Sequence, residues 1–351
     1  MSERETVGQL GESGVLARVL ARLGPVEAAR LGPGDDCAVL RVRGDAVVTT
    51  DTMIEGPDFR LAWHSGFELG WKLAATNLSD VAAMGARPTA LTVAFAVPSE
   101  TPVELLERIA EGLDAACRAL APGCGVVGGD LGRAPVVMAS VTAVGELSGR
   151  APVTRAGARP GDVVAYAGEL GLAGLGLSLL FAEAADASGT AHGRTLPLLW
   201  ARHPEALAAQ LAPAPPIPLG VAAAEAGATA MMDVSDSLSI DAARLARASD
   251  AVLDLSTALL EGCFGEQQGV PVPLEAMLTG GEDHGLLATF PPDAELPGGF
   301  RPIGAVRAGV GLAGGARAGG KMDSGSGRLS LDGERYEPRG WDPYTVRPPG
   351  S

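Results

Sequence analysis

Aspartates in unusual company are the chemistry-bearing feature of this chain. Asp36 and Asp51 lie in GPGDDCAVLRVRGDAVVTTD, Asp80 in WKLAATNLSDVAAMGARP, Asp130 in VVGGDLGRAP, and Asp233 and Asp236 in ATAMMDVSDSLSIDAARLARA. Between Lys72 and Arg87 the only charge is Asp80, and Asn77, three residues earlier, shares its helix face. Burying an unpaired carboxylate costs several kcal/mol, so Asp80 is either exposed on a narrow polar stripe or ligated. Ligation is the expectation. A two-residue turn at Arg43-Gly44 would pair AVLRV with DAVVTTD as a hairpin and set Asp36 opposite Asp51. Like charges that close repel unless a divalent cation sits between them; the plain alternative is two solvated hairpin-end residues. In VVGGD the glycines let the backbone approach a phosphate, and Asp130 at a strand end can take a metal, or the segment is an ordinary turn. Ser235 or Asp236 can cap the helix that follows. A cap explains one of them but not Asp233, and a helix N-terminus beside two carboxylates suits a magnesium–phosphate complex. Glu282 and Asp283 in LTGGEDHGLLATF follow a glycine pair and precede a strand, where a turn is the simplest reading.

Carboxylates at element ends, with glycines, point to one reaction class. Mg2+ keeps waters and binds one or two carboxylates plus substrate phosphates. Several such ions would screen ATP against an anionic acceptor, and phosphoryl transfer needs mainly positioning and charge neutralisation. Competing chemistries lack their motifs. There is no G-x-x-x-x-G-K-[ST], and the glycines of GLAGLGL do not form G-x-G-x-x-G after a strand. His64, His192, His203 and His284 have no zinc spacing, and no G-x-S-x-G elbow occurs.

Bulk properties narrow the setting. A net charge of −15 without a Lys/Arg cluster argues against nucleic acid as a partner. Of 27 basic residues only Lys72 and Lys321 are lysine, which reads as coding bias. Cys37, Cys117, Cys124 and Cys263 show no C-x-x-C spacing, and a reduced, cytoplasmic setting is expected. MSERETVGQLGESG lacks the apolar core of a signal peptide. The longest uncharged run, 206–224, contains four prolines, so no membrane span is expected.

The elements that must position these residues follow from periodicity. Helices are expected over 12–23, 66–84, 102–120, 173–185 and 239–248. Strands are expected at LTVAFAV, VVGGD, VVMASVTAVGEL, VVAYAG, TAMMDV, AVLDLS and HGLLATF, and APAPPIPLG reads as an internal loop. A turn-rich stretch at 148–162 suggests a boundary between residues 1–148, binding metal and ATP, and residues 149–351, an α/β domain with a Gly-rich tail. The tail beyond about residue 306 is expected to pack loosely as far as ERYEPRGWDPY.

Taken in order, GDDCAVL, TTDTMIEG, NLSDVAAMGARP, VVGGD, TRAGARPGD, DVSDSL and LTGGED resemble the thiamine-monophosphate kinases, of the aminoimidazole-ribonucleotide synthetase-like superfamily. The resemblance covers about residues 8–306, with a weaker echo at GWDPY. It implies an α/β fold in two domains, the N-terminal sheet closing a barrel across a homodimer. It implies direct in-line transfer from ATP to thiamine monophosphate, with no protein nucleophile. The implied magnesium ligands are Asp36, Thr49, Thr50, Asp51, Asp80, Asp130, Asp233 and Asp236. The implied nucleotide contacts are Gly129, Asp130, Arg155 and Ser235, and the acceptor contacts Glu282 and Trp341.

The sequence departs from the family at several places. Asp58 replaces the histidine of V-E-G-x-H-F and enters the acceptor set in its stead, where a negative charge near a substrate phosphate is unwelcome. Ser237 replaces a glycine, His284 an aromatic near the base site, and Ala110 a tyrosine. A second reading therefore stays open: an ATP-binding relative with another small phosphorylated acceptor, or a non-catalytic regulatory role. Among sister families, selenophosphate synthetase would want a reactive cysteine near the N-terminus, and the hydrogenase-maturation carbamoyl dehydratase one at the C-terminus.

Overall fold

A computed structural model describes residues 5–34, 37–308 and 328–340. The first half contains α1 (Val7–Leu10), α2 (Glu12–Leu20), β1 (Ala29–Leu31), β2 (Val39–Leu40), β3 (Ala46–Ile54), α3 (Gly66–Ala83), β4 (Arg87–Val97), α4 (Val103–Leu120), β5 (Val126–Arg133) and β6 (Met138–Glu146). The order β3-β6-β4-β5 makes a four-stranded sheet in which only β4 and β5 run parallel. Strands β3 and β5 are its edges, and among the described residues no closed barrel forms.

The expected hairpin does not form. Strand β2 pairs with β1, and β3 pairs with β6, so Asp51 faces Val141 in the ladder. Nine consecutive pairs with β6 outweigh the short local hairpin that the turn at Gly44 suggested.

Helix α3 is the hub. Ser65 caps it, accepting from the Glu68 amide, and Glu68 reaches back to the Ser65 amide. Its apolar residues are buried nearly all round, which fits a helix held on several sides. It packs on α4 through glycine: a Cβ on Gly70 would stand 1.9 Å from the Ile109 carbonyl oxygen, and one on Gly112 2.0 Å from that of Phe67. Larger residues would force these backbones apart.

The second half contains β7 (Val163–Ala167), α5 (Leu172–Glu183), α6 (Leu196–Arg202), α7 (Pro204–Leu211), α8 (Pro218–Glu225), β8 (Ala230–Asp233), α9 (Leu238–Ala248), β9 (Ala251–Leu255), α10 (Thr257–Phe264), β10 (Glu266–Gln267), β11 (Val270–Pro271), α11 (Leu274–Thr279), β12 (Leu286–Phe290), β13 (Phe300–Ala308), β14 (Leu329–Leu331) and β15 (Glu334–Arg335). Its main sheet has the order β15-β14-β9-β13-β7-β12-β8. Part of APAPPIPLG is helical, because Pro218 opens α8 at a position where its missing N–H costs nothing. The tail departs from expectation where it is described: β14 runs parallel to β9, and Leu329 is fully buried. The Gly-rich residues 309–327 lie outside the described residues.

The core does not stop between the halves. Val81, Ala82 and Leu91 share one buried cluster with Met231, Leu286 and Phe290. Among the described residues no helix is long and apolar enough to cross a membrane.

Candidate active site

Strand alternation sends Thr49 and Asp51 to the face of β3 that meets α3. There the Thr49 hydroxyl donates to Asp80 Oδ2 at 2.9 Å. One residue before Asp80, the Ser79 hydroxyl donates to Asp233 Oδ2 at 3.2 Å, so α3 joins β3 to the C-terminal end of β8. The Asp80 carboxyl is pushed up to about 7, first by burial and then by Asp233 and Asp51. Asp51 is likewise raised by burial and by Asp233. Three carboxylates from both halves therefore repel one another across a partly enclosed space.

The basic group facing them is His284. Its Nδ1 lies 3.4 Å from Asp233 Oδ2. Burial opposes charge on this ring, but the hydrogen bond and charge of Asp233 outweigh it, and the imidazole is raised above its ordinary value. Among the described residues no lysine or arginine is paired with Asp80 or Asp51.

The donor set suits magnesium. It consists of hard carboxylate oxygens with a hydroxyl beside them, and the mutual repulsion is what a bound cation would relieve. Among the described residues no three acidic, histidine or cysteine side chains are grouped closely enough to hold an ion by themselves.

Other expected ligands lie elsewhere. The Thr50 side chain is on the opposite face of β3, bonded to the Val141 carbonyl and to Thr142. Asp130 is exposed on β5 next to Gly129. Ladder pairing aligns Gly129 with Val93, Val141 and Asp51, three strands and so roughly 14 Å across the sheet. That spacing separates Asp130 from Asp51 within the sheet. A side chain at 129 would meet the Val93 carbonyl at 2.0 Å, which gives that glycine a packing reason. Asp36 and Trp341 lie outside the described residues.

The loop 234–237 is built around Asp241, which the sequence reading missed. Its Oδ2 accepts from the amides of Ser235, Asp236 and Ser237, and Arg244 bonds both Asp236 and Asp241 at 2.5 and 2.7 Å. Burial lifts Asp241 to about 6 against the pull of Arg244. Ser237, rather than Ser235 or Asp236, caps α9 by accepting from the Ile240 amide. The signal was in SDSLSID, where a serine three residues before Ile240 is a cap candidate. Arg155 is exposed on the segment whose Thr154 carbonyl accepts from the Met231 amide beside β8.

A second charged cluster lies N-terminal on α3. Lys72 is fully buried, with Nζ 3.1 Å from Glu282 Oε1 and 3.0 Å from the Gln210 carbonyl oxygen. Gln210 Nε2 donates to the other Glu282 oxygen. Burial pushes Glu282 up, but Lys72 and Gln210 more than offset this and hold it below its ordinary value. Lys72 was also missed; its place eight residues before Asp80, on the same helix face, was the available signal. His64 is buried nearby and is driven down to about 3 by burial and by Lys72, so the ring is neutral. Asp58 closes its own turn, accepting from the Ile54 amide at 2.8 Å. Burial and Glu282 raise it. Asp283 caps α5 through the amides of Gly171 and Ala173.

Comparisons with known proteins show what this chain is similar to. The family described as AIR synthase related protein, N-terminal domain, matches residues 34–147. A thiamine-monophosphate kinase of Mycobacterium tuberculosis is 38% identical over 311 residues, covering 87% of each chain. The structure of thiamine monophosphate kinase from Aquifex aeolicus is similar at a TM-score of 0.66 and 29% identity, over 84% of this chain and 90% of that one. A solved complex of AaThiL with AMPPCP and TMP is similar at a TM-score of 0.66 and 27% identity, over 97% of this chain and 99% of that one. With a shared fold and more than a third of its residues in common with the mycobacterial enzyme, this chain belongs to the thiamine-monophosphate kinase family.

Proposed function

We propose that this protein transfers the γ-phosphoryl group of ATP to the phosphate of thiamine monophosphate, yielding thiamine diphosphate and ADP. The observation that carries the reading is the Asp51–Asp80–Asp233 group, drawn from both halves and, among the described residues, left without a lysine or arginine partner. It is supported by family membership and by the AaThiL complex with a nucleotide analogue and TMP.

Asp51, Asp80 and Asp233 would hold magnesium, which when bound with the nucleotide screens the charge between two anionic reactants. Thr49 and Ser79 fix two of these carboxylates by hydrogen bonds. Asp236, held by Arg244, and Ser235 take the magnesium and nucleotide roles their motif implies, on a loop whose amides are held by Asp241. The same reading gives Gly129, Asp130 and Arg155 to the nucleotide, and Thr50, Asp36 and Trp341 to the roles their motifs imply. An acceptor phosphate oxygen is ionised near neutral pH. It attacks the γ-phosphorus directly while the β–γ bridging oxygen leaves with ADP, so no protein base is required.

Glu282 faces the acceptor as a carboxylate of fixed orientation, and Asp58, its charge shared with the Ile54 amide, borders the same region. That turn bond eases the conflict of a negative charge at position 58 with an acceptor phosphate. A homodimer in which two four-stranded sheets close a barrel is supported by the free edge of β3 and the exposure of Val48 and Ile54 on its uncovered face. A cytoplasmic setting fits such substrates.

The test is ADP release with ATP and Mg2+, with and without thiamine monophosphate, together with detection of thiamine diphosphate. Acceptor-dependent release with stoichiometric thiamine diphosphate is expected. Bound ATP without acceptor stimulation would favour a different acceptor or a binding role.

A further inference from the structure

The chain writes nearly all its positive charge as arginine, and Lys72 is the only lysine among the described residues. It is also completely enclosed. An enclosed ammonium is costly unless paired, and here its partners come from the other half of the molecule: the Gln210 carbonyl at the end of α7 and the Glu282 carboxylate after α11. Gln210 holds the second Glu282 oxygen, so both oxygens are fixed while the side chain stays about 30% exposed.

The backbone at Glu282 points the same way. Its φ is +67, in the left-handed region where a non-glycine residue is disfavoured, although two glycines immediately precede it. The Glu282 amide donates to Ser235 O at 2.7 Å and the His284 amide to Val234 O at 2.9 Å, which locks this conformation onto the loop after β8. A strained position that carries a glutamate, clamped at both oxygens and at its amide, is built to aim one carboxylate.

We propose that Lys72 is a positioning residue for acceptor recognition. Reaching across from α3, it fixes the Glu282 carboxylate in the orientation that meets the acceptor. A compact ammonium fits this slot between a carbonyl and a carboxylate, whereas the planar guanidinium used elsewhere in the chain would not. The inference rests on the assignment of Glu282 to the acceptor made above.

Steady-state kinetics of the full chain test it, varying thiamine monophosphate and ATP separately for wild type, Lys72→Met, Glu282→Gln and the double variant. Lys72→Met is expected to raise KM for thiamine monophosphate about tenfold, or about 1.4 kcal/mol of acceptor binding, as the Glu282 carboxylate loses its aim. KM for ATP should stay within about twofold, because a split between the two constants marks lost acceptor binding rather than general damage. The double variant should match Glu282→Gln, since without the carboxylate Lys72 has nothing to aim. This double variant leaves no unpaired charge and keeps the test valid if Lys72→Met alone folds poorly. A double variant several-fold worse than Glu282→Gln in KM for the acceptor would overturn the proposal, as would Lys72→Met raising both KM values together. A normal acceptor KM in Glu282→Gln would instead sink the assignment of Glu282. A wild type without acceptor-dependent turnover would sink the proposed function.

Discussion

Helix α3 carries two charged clusters, eight residues and about 12 Å apart along its axis, and they are finished to different degrees. At Lys72 every charge has a protein partner: ammonium to carboxylate, carboxylate to amide, ammonium to carbonyl. At Asp80 three carboxylates meet with one histidine to offset them, and burial and repulsion raise Asp80 and Asp51. A cluster that completes its own charge needs no ligand and can serve as a rigid support. A cluster left anionic is incomplete until cations arrive, and that is where the reacting phosphates belong.

The comparison breaks first at the level of turnover. Asp51→Asn, Asp80→Asn and Asp233→Asn should each lower kcat about a hundredfold or more, the scale of removing one element of electrostatic preorganisation. A fall of only a few fold would move the cations elsewhere. The second effect is on stability, with the opposite dependence on charge. Lys72→Met should lower unfolding free energy by about 3 kcal/mol, because it removes one member of an enclosed pair. Denaturant melts that left the variant as stable as wild type would mean that this cluster is not self-sufficient. The third and smallest sharpens the border between the two regions. Asp241→Asn keeps one acceptor oxygen for the loop amides but loses charge toward Arg244, and should cost about 1 kcal/mol. It should also weaken nucleotide binding measured by calorimetry while leaving acceptor KM unchanged; a change in the acceptor constant alone would detach this loop from the nucleotide.

Much of this architecture was legible in the sequence. Long periodic segments declared α3, α4 and α9, and apolar runs declared β2 to β9 and β12, because burial period is a local property, whereas β13 was not foreseen. Partner choice is not local. The chain bends at Gly44–Asp45, but β3 goes to a strand some ninety residues away, which no feature of GPGDDCAVLRVRGDAVVTTD could announce. The carboxylates were legible one by one, since each is a lone charge among apolar residues, and Asp51, Asp80 and Asp233 do meet. Asp130 is set apart from Asp51 within the described residues, because two strands of sheet, β6 and β4, lie between theirs. Lys72 and Asp241 were hidden for the opposite reason. Each looks ordinary in its own helix, and each acts through partners that only the fold supplies.

The most direct measurement is the thermal midpoint of wild type and Asp80→Asn at pH 8, first in EDTA and then with Mg2+ and AMPPCP. In EDTA the variant should melt higher, because it removes one of three repelling charges while its amide oxygen still accepts from Thr49. With metal and nucleotide the order should reverse, because ligand binding to the folded form stabilises wild type more. A variant that melts lower in both conditions, or a wild type unmoved by Mg2+ and nucleotide, would contradict the claim that this anionic cluster is completed by cations.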